Sequence, residues 1–133
     1  MASFDDVRRI VTGLPHTEEG TSRDHLFWRV KGKGFVWERP LRKPDLAELG
    51  ERAPAGPILG VRVDGMAARE ALLADPSGVY FTTSHFDGHA IVLVQLEHVP
   101  DDELRELVIE AWLCRAPAAV ARDYEAAELG GGH

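Results

Sequence analysis

Six basic residues, Arg29, Lys31, Lys33, Arg39, Arg42 and Lys43, fall within fifteen positions that hold a single acid, Glu38. The segment carries a net charge of +5 in a chain whose formal total is −7. Lysine and arginine neutralise phosphates and release their counterions, so a bipolar chain of this kind offers one positive face to a polyanion such as DNA. Trp28, Phe35 and Trp37 are interleaved with the charges. Exposed, such rings stack on unpaired bases or wall a ligand cleft. Alternation supports a plainer account, because Arg29 and Lys31 alternate with Trp28 and Val30, as on a strand with one buried and one solvated side. Basic residues also guard a sheet edge against pairing with another chain. With a sequence pI near 5.3, the remainder of the molecule repels phosphate, and any DNA binding is expected to be weak and salt-sensitive.

His85, Asp87 and His89 are three potential metal ligands within five residues. On one continuous strand they would share a face, but Asp87-Gly88 reads as a turn, which splays them. Zinc needs three or four ligands, and spacing supplies no fourth partner, so no metal or other cofactor is expected. Asp102, Glu103, Glu106 and Glu110 lie at helical neighbour spacing. Hard cations prefer such oxygens, yet Arg105 sits among them and early acids complement a helix dipole, which makes a solvated face the favoured reading. Cys114, beside an apolar stripe, reads as a buried and inert thiol. The chain has no Gly-rich phosphate loop, no Gly-x-Ser-x-Gly elbow and no Cys-x-x-Cys pair. A non-enzymatic role is expected.

These residues need a scaffold, and 133 residues with 44% hydrophobic and 28% charged side chains suit one folded domain. We place it at residues 1–129, with Gly130-Gly131-Gly132-His133 as a flexible tail. The acidic start is unlike a signal peptide, no apolar run is long enough to span a bilayer, and the single cysteine fits a reducing compartment; a cytoplasmic protein without membrane contact is expected.

Phe4, Val7, Ile10, Val11 and Leu14 recur at three- and four-residue steps, which predicts a helix over Ser3 to Leu14 with a Ser3/Asp6 capping box. His25 to Arg39 reads as a hairpin turning at Gly32-Lys33-Gly34. Lys43 to Glu51 reads as a short helix with Leu46 and Leu49 inward, Ile58 to Val63 as a strand, and Met66 to Ala74 as a helix. Val79 to Ser84 and Ala90 to Leu96 form a second hairpin around Asp87-Gly88. Pro100 and the acids after it start a helix whose buried stripe is Leu104, Leu107, Val108, Ala111 and Trp112, and Val120, Ala121 and Tyr124 mark a last helix. The sum is an α+β fold of two layers, a mainly antiparallel sheet under helices.

Four stretches resemble the MmcQ/YjbR-like family in order and spacing: Leu14-Pro15, Arg29-Val30-Lys31-Gly32-Lys33-Gly34-Phe35, Tyr80-Phe81-Thr82-Thr83-Ser84-His85-Phe86-Asp87-Gly88, and Glu110-Ala111-Trp112 with Arg115-Ala116-Pro117. The resemblance implies a frataxin-like (CyaY-like) fold and DNA binding through a double-wing arrangement, with the hairpin positions as wing residues. It supplies no catalytic residues. The leading expectation is therefore a DNA-binding module using the basic hairpin; the alternatives are an interaction domain for protein or small ligands in the cleft between sheet and helices, and a cation-binding domain.

Overall fold

The capping box forms as its spacing requires: the Ser3 amide donates to the Asp6 carboxylate at 2.8 Å, and helix α1 follows over Phe4–Thr12. The computed structural model describes residues 2–131, across which the chain continues as β1 (Thr17–Ser22), β2 (His25–Val30), β3 (Lys33–Glu38), α2 (Lys43–Leu49), β4 (Ile58–Arg62), α3 (Gly65–Leu73), β5 (Tyr80–Phe81), β6 (Ile91–Gln95), α4 (Asp101–Arg115) and α5 (Ala118–Gly131). All six strands join one sheet in the order β1-β2-β3-β4-β6-β5, with every neighbouring pair antiparallel. The expected α+β class holds.

One face of the sheet carries the main core. Trp28, Val30, Phe35, Val36, Leu59, Val61, Val92 and Val94 meet Val7 and Val11 of α1 and the whole predicted stripe of α4. Trp112 is fully buried; its indole N–H donates to the Pro15 carbonyl at 3.1 Å and its ring meets that of Tyr124 with centroids 4.9 Å apart. Partly buried Leu72 and Leu73 of α3 pack against the same core.

Four features depart from the sequence expectation. Strand β1, Thr-Glu-Glu-Gly-Thr-Ser, has no apolar residue to announce it; it is an edge strand held by full-length pairing to β2, and its Glu19 accepts hydrogen bonds from Arg8 at 2.7 Å and from the Trp28 indole at 2.9 Å. The first hairpin turns at Lys31-Gly32, not at Gly32-Lys33-Gly34, with φ of 49° and 82°, positive at both positions as a type I′ turn needs. In α2 the inward pair is Asp45 and Leu49, while Leu46 stays 47% exposed. Finally, β5 is two residues long: the chain leaves the sheet and makes a 3₁₀ turn at Ser84–Phe86, which the Glu48 carboxylate anchors by accepting from the Ser84 amide at 3.0 Å and hydroxyl at 2.6 Å. Of the anticipated tail, Gly130 and Gly131 carry helical backbone in α5, and Gly132 and His133 lie outside the described residues. No helix among the described residues is long and apolar enough to cross a membrane.

Truncating Trp112 to Ala removes a large ring from the centre of the core and should cost about 3–5 kcal/mol. A urea midpoint unchanged from that of the unmodified chain would contradict this packing.

Candidate functional site

The face of the sheet turned away from α1 and α4 is built on a row that crosses every strand. Register pairs Gly20 with Phe27, Phe27 with Trp37, Trp37 with Gly60, Gly60 with Leu93 and Leu93 with Phe81. Paired residues share a face, so the adjacent rings of Phe27 and Trp37 are flanked along the row by Gly20 and Gly60. The arrangement is steric: a Cβ at Gly60 would stand 2.4 Å from the Trp37 indole, and one at Gly34 would stand 2.1 Å from the Phe27 ring. Each ring leans over a neighbouring strand that has no side chain there, and the two rings stack at 5.7 Å with planes 17° apart. The Arg29 guanidinium lies 4.7 Å from the Phe27 centroid, an attractive cation–π geometry.

Beside Trp37 opens a cavity of about 310 Å³. Phe27, Trp37 and Phe86 provide its aromatic walls, and Arg23, His25, Glu38, Arg39, Arg42 and His85 its polar ones. Arg39 and Asp45 form a buried ion pair at 3.0 Å, with side chains 6% and 5% exposed. Asp45 also accepts from the Arg42 amide at 2.9 Å, which starts α2. Burial alone would push the Asp45 carboxyl up, but the Arg42 amide and the Arg39 charge outweigh it and hold it below the ordinary Asp value. Arg39 in turn lies 5.2 Å from the Phe86 centroid. One charge pair therefore ties the end of β3 to α2 and to the 3₁₀ turn. Glu38, the carboxylate of the cavity wall, accepts from the Leu26 amide at 3.0 Å and stands 3.7 Å from His25 Nδ1. Arg23, placed by the β1–β2 turn at φ 53°, and Arg42 are exposed, and neither joins an ion pair among the described residues.

The six predicted basic residues do not form one patch. Lys31 and Lys33 are exposed at the β2–β3 turn, whereas Arg42 and Lys43 are exposed at the start of α2, at the opposite end of β3, roughly 20 Å away at the rise of a strand. Arg29 lies half-buried between these groups on the open face, and Arg39, buried with Asp45, is withdrawn from phosphate contact. Of the three aromatics expected to stack or wall a cleft, Trp28 and Phe35 are 1% and 0% exposed in the core, out of reach of a base; Trp37 remains on the open face. Trp28 reaches a separate shallow cavity beside Thr17 and Glu19. His85, Asp87 and His89 are exposed around their loop, and His85 turns to the cavity, its ring edge-on to Phe86 at 4.9 Å. Among the acids of α4, Glu103 is half-buried and accepts from the Tyr80 hydroxyl, while Asp102, Glu106 and Glu110 are exposed.

Cys114 is exposed, against the expected burial. Its thiol pKa is raised by desolvation at its sulfur and by Asp64 and Glu110, which disfavours the thiolate that reactivity needs. Sequence reasoning passed over Arg23, His25, Phe27 and Phe86; the available signal was Gly60 inside the expected Ile58 to Val63 strand, since an interior strand glycine marks close approach of another group, whereas Gly34 reads as part of the turn.

Asp45→Asn leaves Arg39 buried without its counter-charge and should cost about 3–5 kcal/mol near neutral pH. The folded-state pKa of Asp45 is the lower one, so its contribution is complete above the unfolded value of about 3.9 and is lost as pH falls through the folded value. The difference in urea midpoint between the unmodified chain and the Asn variant should therefore narrow below about pH 4. A difference that stays constant into that acid range would contradict the assignment.

Comparison with known proteins places this geometry in a family. A protein-family model described as YjbR matches residues 12–114. The chain is 49% identical over 127 residues to the uncharacterized protein Rv2570 of Mycobacterium tuberculosis, covering 93% of this chain and 96% of the relative. It matches the uncharacterized protein Mb2600 of Mycobacterium bovis to the same extent, 49% over 127 residues. The crystal structure of Deinococcus radiodurans protein DR2400, with domain DUF419, is similar at a TM-score of 0.67 and 21% identity over 94% of this chain and 89% of that one, a likeness of fold. From the match across residues 12–114 and these near-full-length relatives, the chain belongs to the YjbR family.

Proposed function

We propose that this YjbR-family domain is a non-enzymatic DNA-binding module that takes a single strand across the open face of its sheet. The observation that carries the reading is the stacked Phe27–Trp37 pair, each ring seated over a strand glycine, with exposed basic residues at both ends of β3 that join no ion pair among the described residues. Bases of a single strand expose the π-faces such rings bind, whereas a duplex hides them; each base stacked on an aromatic contributes about 1–3 kcal/mol. Lys31 and Lys33 at the β2–β3 turn, with Arg29 behind them, would meet phosphates on one side, and Arg42 and Lys43 on the other. The basic hairpin thus keeps a role as a phosphate-contacting wing, but the contact surface extends along the sheet.

The overall charge of −7 limits the strength of the interaction, because the acids repel the rest of the strand. Binding should be weak, salt-dependent and nearly indifferent to sequence, as lysine–phosphate contacts carry little base information. The alternative of a ligand cleft between sheet and helices is less favoured, since that interior is filled by Trp28, Phe35, Val108 and Trp112, each at most 1% exposed.

Labelled single-stranded and duplex DNA titrated at two or more salt concentrations tests the proposal. The single strand should bind more tightly. For single strands, each phosphate contact contributes about 0.7 to the slope of log affinity against log salt, so Lys31→Ala with Lys33→Ala should flatten the slope by about 1.4. Trp37→Ala should instead weaken binding by about 1–3 kcal/mol with the slope retained. No binding at low salt, or a double variant with unchanged affinity and slope, would refute this reading in favour of an interaction domain.

A further inference from the structure

We infer that the cavity beside Trp37 is a site for one nucleoside 5′-phosphate unit, with the base against Trp37 and the phosphate between Arg23 and Arg42. The inference deepens the proposed nucleic-acid reading and rests on it only for the strand-borne form of the ligand; a free nucleotide presents the same chemistry. Size is the first support. About 310 Å³ lies at the bottom of the range of roughly 300–1,000 Å³ typical of small-molecule sites, which suits one base with its phosphate and not a run of them.

The chemistry of the walls is the second. A flat aromatic surface is fixed in place, because Trp37 has Gly60 beneath it and Phe27 stacked beside it, and Phe86 is held by Arg39. An aromatic wall of this kind selects planar ligands. The charges are sorted as well. Arg39 is neutralised by Asp45, and the one wall carboxylate, Glu38, is engaged by the Leu26 amide and His25. That leaves Arg23 and Arg42 as cations with no partner among the described residues, on opposite elements of the same cavity. Two guanidinium forks on the wall of one cavity are suited to a phosphate, which each can contact in bidentate fashion. His85, exposed on the 3₁₀ turn, adds a further donor.

The test compares thymidine 5′-monophosphate, thymidine and inorganic phosphate as ligands of the full chain, read by isothermal calorimetry. The monophosphate should bind saturably and at least about tenfold more tightly than thymidine or phosphate alone, since each of those lacks one half of the contact. Arg42→Ala and Arg23→Ala, both surface changes that leave the core and the Asp45 contacts intact, should each weaken the monophosphate about ten- to hundredfold, with partial recovery in Arg42→Lys. The Lys31→Ala and Lys33→Ala double variant should leave monophosphate binding unchanged while weakening DNA. An oligothymidylate carrying a 5′-phosphate should bind more tightly than the same strand without it if the site takes strand ends; equal binding of the two, alongside tight binding of the free monophosphate, would assign the site to free nucleotides. Equal affinity for thymidine and its monophosphate, or no saturable monophosphate binding, would overturn the inference, even where long single strands still bind. Conversely, monophosphate binding without any DNA binding would refute the proposed function and leave this site standing.

Discussion

Trp37 lies across the neighbouring strand only because residue 60 has no side chain. The aromatic surface of the open face depends on that constraint. With a Cβ 2.4 Å from its indole, the ring would have to stand up from the sheet, Phe27 would lose its stacking partner, and the aromatic wall of the cavity would go. Gly34 does the same for Phe27, and Gly20 leaves room for Arg29, whose guanidinium nitrogen would be 3.0 Å from a Cβ there. Glycine in a strand costs conformational entropy and packs nothing. Three such positions on one face of a small sheet weaken the scaffold locally in exchange for a flat, ring-lined surface, which is the usual trade at a functional site.

The two faces of the sheet are stabilised by different means. The helix-covered face buries Trp28, Phe35 and Trp112 with a dense aliphatic set, and hydrophobic burial dominates there. The open face has a smaller cluster, Ile58, Phe86, Ile91 and Leu93, and relies on polar ties: the buried Arg39–Asp45 pair and the grip of Glu48 on Ser84. Such a pair recovers its desolvation cost only with good geometry and extra hydrogen bonds, which the Arg42 amide supplies. Its consequence for the site is a sorting of charge. Arg39 becomes a structural cation, and the neighbouring Arg42, which joins no ion pair among the described residues, can meet an anion.

The helices and most of the sheet were legible in the sequence because their apolar periodicity is strong; the α4 stripe from Leu104 to Trp112 is buried residue for residue. Strand β1 was not, since an edge strand of threonine, glutamate, glycine and serine has no hydrophobic pattern and is specified by its partner β2. The basic segment was found, but not its geometry. A bulge opposite Trp28 and Arg29 inserts one extra residue into β3, so Phe35 and Val36 both enter the core and Trp37 emerges on the other face. A shift of one residue exchanges the faces of a strand, and nothing in Lys33-Gly34-Phe35-Val36-Trp37 declares where that shift falls. The same slip hid Phe27, whose ring is paired with Trp37 only in the bulged register.

The three indole N–H groups provide the most direct test of the open face as the binding surface. Trp28 donates to Glu19 and Trp112 to the Pro15 carbonyl, both on the helix-covered side, whereas the Trp37 proton has no acceptor among the described residues. In a ¹⁵N-labelled sample the three resonances are separately assignable by Trp→Phe replacement. Titration with a short single-stranded oligonucleotide at low salt should move the Trp37 indole resonance saturably and leave those of Trp28 and Trp112 in place. Saturable binding that leaves the Trp37 resonance unmoved, or moves the other two instead, would contradict the assignment of function to this face.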